Sequence, residues 1–565
     1  SQYSDFFFDL LRSFAYLHRT SRTTMSKIRR LGKAITSEDW LRYRPYGNMN
    51  PYDHFYLGVA NDVFVAVNSE KRDFRGIFQR DDLKELAVLL TCHYEDFLNE
   101  IGLWEALRSS NQELYGYPVP FYELEEYDPE YLNWQDLAYL IWHHLGKMSG
   151  KHLHPYAPAI LDLAVFCLEY FEDHLEEALV TDFFEEQLQI SAELDFFELK
   201  NRLIWITFQN YLTGPEFSKV MEELAIKTMS SENEKLHHFD PGMLLYGLQD
   251  DFLYGRRSSW SALRSVDLLA AVAHGPEELR EEIRGLTRRV TGTFIYERTD
   301  ERFYHFRYGP TGRTFEIRRD SIDLEEKELE PGSDVGFFSI VPWRGEWWLS
   351  GSYMSWRLTP EQIEKQVGGE LGSSSFYGWP EEEQLRLKEL TAEREAAFVE
   401  NFGSHLKVFS NMADLQEGLM KHSLQYNENL GLDDPDFAEK LEEARLQMST
   451  VLEGQVQAGW NPHSPVAAYY APGQGLEISN FIPELIDRLQ ADSLSRENLM
   501  ELYGSFFAEC SPELARMLVE QYSFRNLRFP LIDDPDFVKT FFEFFLRYYR
   551  PEGFKEPVPA MSFRR

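Results

Sequence analysis

The chain has 565 residues, 43% of them hydrophobic and 27% charged, a length that suits about two to four domains and a mixture too apolar for wholesale disorder. Lys plus Arg number 57 against 94 Asp plus Glu, a net charge of −37. A field of that sign repels nucleic-acid phosphate and anionic lipid unless a local basic patch reverses it.

In chain order, residues 1–24 read as an extension outside the fold, because Met25-Ser26-Lys27-Ile28-Arg29-Arg30 looks like a natural start. The rival reading is an amphipathic arm carrying Leu10, Leu11, Phe14 and Leu17. The greasy run Phe6-Phe7-Phe8-Asp9-Leu10-Leu11 has no basic leader and is broken by Asp9, so it is not read as a secretory signal.

Residues 25–285 have helical periodicity and form an N-terminal helical domain. Leu83, Leu86, Leu89, Leu90 and Phe97 recur at three-to-four spacing, and Pro158 opens a helix predicted to bury Leu161, Ala164, Val165, Leu168, Phe171, Leu175 and Leu179. Near Leu286 the period becomes two. Val290–Tyr296, Arg302–Tyr308, Thr314–Arg318, Phe337–Val341 and, after a turn at Trp343–Trp347, Trp348–Tyr353 are β-branched and aromatic and read as five short strands. Together, residues 286–357 predict a small antiparallel β-barrel, SH3-like, because a closed sheet leaves no edge unpaired.

Residues 358–379, with Gly368-Gly369 and Ser373-Ser374-Ser375, read as a linker. Helical periodicity then runs through a C-terminal domain, 380–565. The phrase Asp-Asp-Pro-Asp-Phe occurs at 433–437 and again at 533–537, where Asp before Pro is helix-capping chemistry rather than a calcium loop. The fold class is therefore mainly α with an inserted barrel, α+β overall.

Chemical signatures are sparse. The sequence has no phosphate-binding GxxxxGK[ST] loop, no HExxH and no GxSxG, and Gly473-Gln474-Gly475 is read only as a two-glycine loop. Cys92, Cys167 and Cys510 lie far apart with no CxxC pair, which argues against disulfides and thiolate zinc and fits a reducing cytoplasm. His143, His144, His152 and His154 offer imidazoles suited to zinc, nickel or copper. Gly146 and Gly150 between them suggest instead a solvated histidine-rich turn.

From Leu286 to Arg319, eight arginines face four carboxylates, a local charge of +4 inside the −37 chain. Aromatic rings are interleaved with them, and arginine beside exposed rings is how small barrels hold peptides or single-stranded bases. The candidate partner-binding residues are Arg302, Arg307, Trp343, Arg344, Trp347, Trp348 and Tyr353.

A further series runs through the N-terminal region: Glu38-Asp39-Trp40-Leu41, Arg44-Pro45-Tyr46, Asp53-His54-Phe55-Tyr56-Leu57, Ala60-Asn61, Tyr94-Glu95-Asp96, Gly102-Leu103-Trp104, Leu114-Tyr115-Gly116, Pro120-Phe121-Tyr122, Asp136-Leu137 and Ile141-Trp142. With these motifs the chain resembles a Bacteroidetes-type bacterial family known only as a domain of unknown function, and the likeness continues through the hairpin at Arg344–Gly351 to the C-terminal helices. The resemblance implies a bacterial cytoplasmic protein and supplies no activity. Physically, the polar residues in those aromatic strings read as buried hydrogen-bonding anchors, with a pocket of Asp53, Asn61, Tyr94, Glu95 and Asp136 as the alternative.

The leading expectation is a non-catalytic interaction protein that holds another protein or peptide on the Arg/aromatic face of the barrel and needs no cofactor. One alternative is a metal-dependent enzyme using the histidine cluster with a divalent transition metal. Another is an acidic polyanion mimic that occupies a basic partner. Charge argues against double-stranded DNA and membranes, and oligomeric state is not encoded in any pattern found.

Overall fold

The computed structural model describes residues 35–68, 74, 77–229, 241–322, 324, 329–370, 375–429, 437–532, 534–556 and 562–564. The proposed N-terminal extension, the first Asp-Asp-Pro-Asp phrase and the centre of the linker lie outside these residues. The chain is α+β.

The helical body begins with α1 (Ser37–Leu41), α2 (Pro51–Val67), α3 (Arg80–Leu98), α4 (Leu103–Tyr115) and α5 (Trp134–Ser149). It continues with α6 (Pro158–Asp173), α7 (Phe183–Leu188), α8 (Phe196–Phe208), α9 (Thr213–Met229), α10 (Pro241–Tyr254), α11 (Ser265–Val272) and α12 (Glu277–Gly285). Local chemistry sets these starts. Asn50 and Asp53 exchange side-chain and backbone bonds in a capping box around Pro51, which fixes the first turn of α2. α5 is the axial helix: every residue from Gln135 to Gly146 is buried, as expected where a helix is apolar on all sides.

Pro158 does start α6, but the helix ends at Asp173 and its buried stripe is Ile160, Leu163, Ala164, Cys167 and Phe171. Val165, Leu175 and Leu179, expected inside, are exposed. The sequence pattern placed Ala164 and Phe171 correctly but overweighted the other large aliphatics and left out Ile160, Leu163 and Cys167.

Five strands follow: β1 (Val290–Thr299), β2 (Phe303–Tyr308), β3 (Thr314–Arg318), β4 (Asp334–Trp343) and β5 (Glu346–Arg357). β1 pairs antiparallel with both β2 and β4, β2 with β3, and β4 with β5. The purely antiparallel expectation is corrected at one place, where β3 meets β5 in parallel through Ile317 and Trp347. Inward rings fill the space between strands, with Phe294 stacked on Phe338 at 4.3 Å between centroids and Phe306 edge-on to Phe338 at 5.3 Å.

The segment expected as a linker contains α13 (Pro360–Glu370) and a short helical turn, Phe376–Gly378. That turn is pinned to the sheet, since Arg313 donates to the carbonyls of Tyr377 and Trp379 at 3.1 Å each. Gly378 has no room for a side chain: a Cβ there would lie 2.4 Å from the Tyr308 ring.

The remaining residues do not form a single all-helical domain. α14 (Glu381–Phe402), α15 (Met412–Asn429) and α16 (Phe437–Gln457) accompany a second sheet made of β6 (Leu406–Phe409), β7 (Val466–Ala471) and β8 (Gly475–Ser479). β9 (Ser562–Arg564) lies parallel to β8. The two-glycine loop is the turn of the β7–β8 hairpin. This unit has its own core around Phe398, Leu415, Trp460 and Ile478.

α17 (Ile482–Gln490), α18 (Arg496–Glu509), α19 (Pro512–Tyr522), α20 (Pro535–Thr540) and α21 (Phe542–Tyr549) instead return to the body. Asp534 caps α20 by accepting the Asp536 amide at 2.9 Å, as the repeated phrase predicted for its second copy. Phe121 packs against Phe537, Phe541, Phe544 and Phe545 with centroids 5.0–6.0 Å away. One hydrophobic core therefore holds both the first helices and the last.

Candidate functional site

The Arg/aromatic set divides into a mount and an edge. Trp343 is 1% exposed and Trp348 9%, and Trp348 stacks on Phe196 of α8 at 5.1 Å. Both rings face the helical body rather than a partner. The correction has a simple cause: burying a ring against another layer is as favourable as burying it inside the sheet.

Arg344 is tied into the same contact. Its guanidinium donates to the Ser191 carbonyl at 2.8 Å, and its own amide donates to Glu282 at 3.2 Å. Trp347 and Tyr353 are half-buried, each against a core ring: Phe315 at 5.0 Å and Phe338 at 5.4 Å. Arg302 and Arg307 stay in solvent, with side chains 63% and 41% exposed, paired to Glu346 at 2.6 Å and Glu297 at 3.3 Å.

A polar network that sequence reasoning missed locks the mount. Lys200 of α8 reaches Asp250 of α10 at 3.1 Å and Ser350 of β5 at 2.9 Å. The Tyr254 hydroxyl lies 2.9 Å from the same serine. Asp250 holds the Lys200 ammonium charged against its burial. Gly351, with φ of +81°, brings backbone against Asp250, where a Cβ would sit 2.9 Å from a carboxylate oxygen.

The four histidines do not converge. α5 continues through His143 and His144, which are buried rather than solvated. The His143 ring lies flat on Trp260 at 3.4 Å. Its Nε2 is 3.0 Å from Ser259 Oγ, and that hydroxyl donates to Glu216 at 2.5 Å. Because the serine proton points to Glu216, Nε2 is the donor toward Ser259, an order that gives His143 no role as the serine's base. His152 instead meets the Tyr549 hydroxyl at 3.0 Å, and His154 accepts the Tyr156 amide at 3.1 Å. Among the described residues no three His, Cys, Asp or Glu side chains gather as metal ligands.

Burial keeps several imidazoles neutral. It pushes His93 and His144 down to about 3 and His143 well below its usual value. Below pH 6.5 the unfolded chain then binds protons that the folded chain refuses, so this stability is present above that value and is lost as pH falls toward 3. Each such histidine contributes a slope of up to about 1.4 kcal/mol per pH unit. Urea unfolding at a series of pH values should show His144→Gln with a shallower loss of stability than the unsubstituted chain between pH 6 and 4. Parallel profiles would mean that His144 protonates freely in the fold.

The residues of the family-like motifs form buried anchors, not one pocket. Arg44 pairs with Glu95 at 2.6 Å and approaches Asp53 at 3.7 Å, its guanidinium 3.8 Å from the Trp40 ring. Asp53 also accepts Trp40 Nε1 at 3.0 Å and the Tyr46 hydroxyl at 2.9 Å. Burial raises Glu95 to about 7 against the pull of Arg44. Asn61 ties Ile35 to α2, Tyr94 stacks on Phe171 at 4.4 Å, and Asp136 accepts Tyr127 at 2.9 Å. Asp96 accepts the amides of Gly102, Leu103 and Trp104 and so caps α4. All three cysteines are buried, and among the described residues none is joined in a disulfide.

Among the described residues no helix is long and apolar enough to cross a membrane. No curated protein and no solved structure matches the chain. Residues 34–240, the segment that carries these aromatic and acidic anchors, match the model of a family described as a protein of unknown function, DUF3843.

Proposed function

We propose that this is a non-catalytic bacterial cytoplasmic interaction protein, in which the five strands act as a small SH3-like barrel offered to another protein or peptide. The supporting observation is the division of the barrel residues. Trp343, Trp348 and Arg344 hold the sheet on the body, whereas Arg298, Arg302 and Arg307 carry side chains 62%, 63% and 41% exposed. Each pairs with a carboxylate that is itself accessible, and exposed pairs of this kind are worth about 0–1 kcal/mol. A partner's carboxylates can therefore replace them at little cost, while the rigid mount limits the entropy lost on binding.

The test is charge reversal in the full chain. Arg302→Glu with Arg307→Glu should abolish recovery of the partner captured by the unsubstituted protein, and leave the free energy of unfolding within about 0.5 kcal/mol. Capture should also weaken as ionic strength rises. Undiminished recovery by a folded double variant would remove the barrel edge as the binding surface.

A further inference from the structure

A second, independent feature lies at the root of the barrel. After α10 the chain runs Gly255-Arg256-Arg257 and returns to Arg264 through Ser261 and Ala262, both left-handed with φ of +53° and +58°. This turn lets Arg257 donate to the Ala262 carbonyl at 2.7 Å and sets Arg257 opposite Arg264 in an isolated β-bridge. Arg289 arrives from the lead into β1, Lys388 from α14, and Lys555 from the turn after α21. These cations line one cavity of about 490 Å³ together with Phe376 and Tyr377, a size that suits a small-molecule ligand.

The charge there is the reverse of the chain's. Six cations face Asp251 and Glu556 in the cavity wall. Asp267 and Glu552, just outside it, also take part, pairing with Arg264 at 2.8 Å and with Arg256 at 3.5 Å. Among the described residues these six positive groups meet Asp251, Glu556, Asp267 and Glu552, with Asp250 also acting on Arg289. Among the described residues the buried Arg257 Nε has no acceptor, which is costly unless something else supplies one. Burial and the nearby Arg264 both pull the Arg257 pKa down, and burial does the same at Arg289, so added negative charge relieves both.

We propose that this cleft binds a phosphorylated small molecule of about nucleotide size, its phosphate oxygens among Arg257, Arg264 and Arg289 and a planar group against Phe376 and Tyr377. Guanidinium groups arriving from two separate segments match several anionic oxygens at once, which a phosphate chain offers and a single carboxylate does not. Lys388, 5.4 Å from the Phe376 ring, places a further positive charge beside the aromatic wall.

Calorimetry on the full chain at low salt, with ADP, inorganic pyrophosphate and citrate as probes, tests this. ADP should bind, and both Arg257→Gln and Lys388→Gln should weaken it by about tenfold or more. Lys388 is exposed on its helix, so its variant remains informative if loss of Arg257 disturbs the turn. No heat from ADP or pyrophosphate at about millimolar concentration, or equal affinity in both variants, would overturn the site. Citrate binding as tightly as ADP would overturn the phosphate assignment, and pyrophosphate matching ADP would overturn the planar group.

Discussion

Lys200→Met should destabilise the protein by about 3–5 kcal/mol, read from urea unfolding at neutral pH, because it leaves the Asp250 carboxylate buried without its counter-charge. Asp250 is 0% exposed, and among the described residues one of its oxygens already lacks a hydrogen-bond donor. The loss falls on the junction between body and five-stranded sheet, since the same ammonium holds Ser350 of β5. The double variant Lys200→Met with Asp250→Asn removes both charges and should recover much of the deficit, as neutral replacements of buried pairs do. A single variant that costs less than about 1 kcal/mol would show that water reaches the pair and that burial is not what makes it matter.

Phe545→Ala should cost about 3–5 kcal/mol. Its ring is fully buried and lies 5.6–6.0 Å from Phe529, Tyr503 and Phe121. The more telling result is where the loss appears. Because Phe121 lies in the connection from α4 to α5 and packs on Trp142 of α5, hydrogen exchange should accelerate in α5 as well as in α18 and α21. Acceleration confined to the last helices would mean that the two ends of the chain only touch. Leu385→Ala, at a side chain 58% exposed, should change stability by less than about 0.5 kcal/mol.

The strands β1–β5 were legible because aromatic and β-branched residues crowd them at period two, and the helices of the body because capping residues and Pro mark their starts. The β6–β8 sheet was not. All six residues of β7 are buried, so Val466–Ala471 shows no alternation, and its Ala and Tyr residues fit a helix as readily. Periodicity also says which residues share a face without saying what covers it, which is why Trp343 and Trp348 looked available. Gly146 read as part of a solvated turn, yet it lies within α5 and its lack of a side chain serves packing: a Cβ there would lie 2.9 Å from the Tyr548 hydroxyl. The basic cleft draws on five stretches scattered between Asp251 and Glu556, and no local pattern joins them.

Synthesis on the ribosome gives the shared aromatic core a temporal meaning. The helical body is complete in sequence at Gly285, but the rings that seal Phe121 and Trp142 first emerge after Pro535. At about 5–20 residues per second, the intervening chain takes roughly 12–50 s to make. For that interval the early helices expose an unsealed greasy surface, while the five-stranded sheet, with a core of its own, folds in the meantime. Chaperone demand should therefore peak during elongation rather than after release.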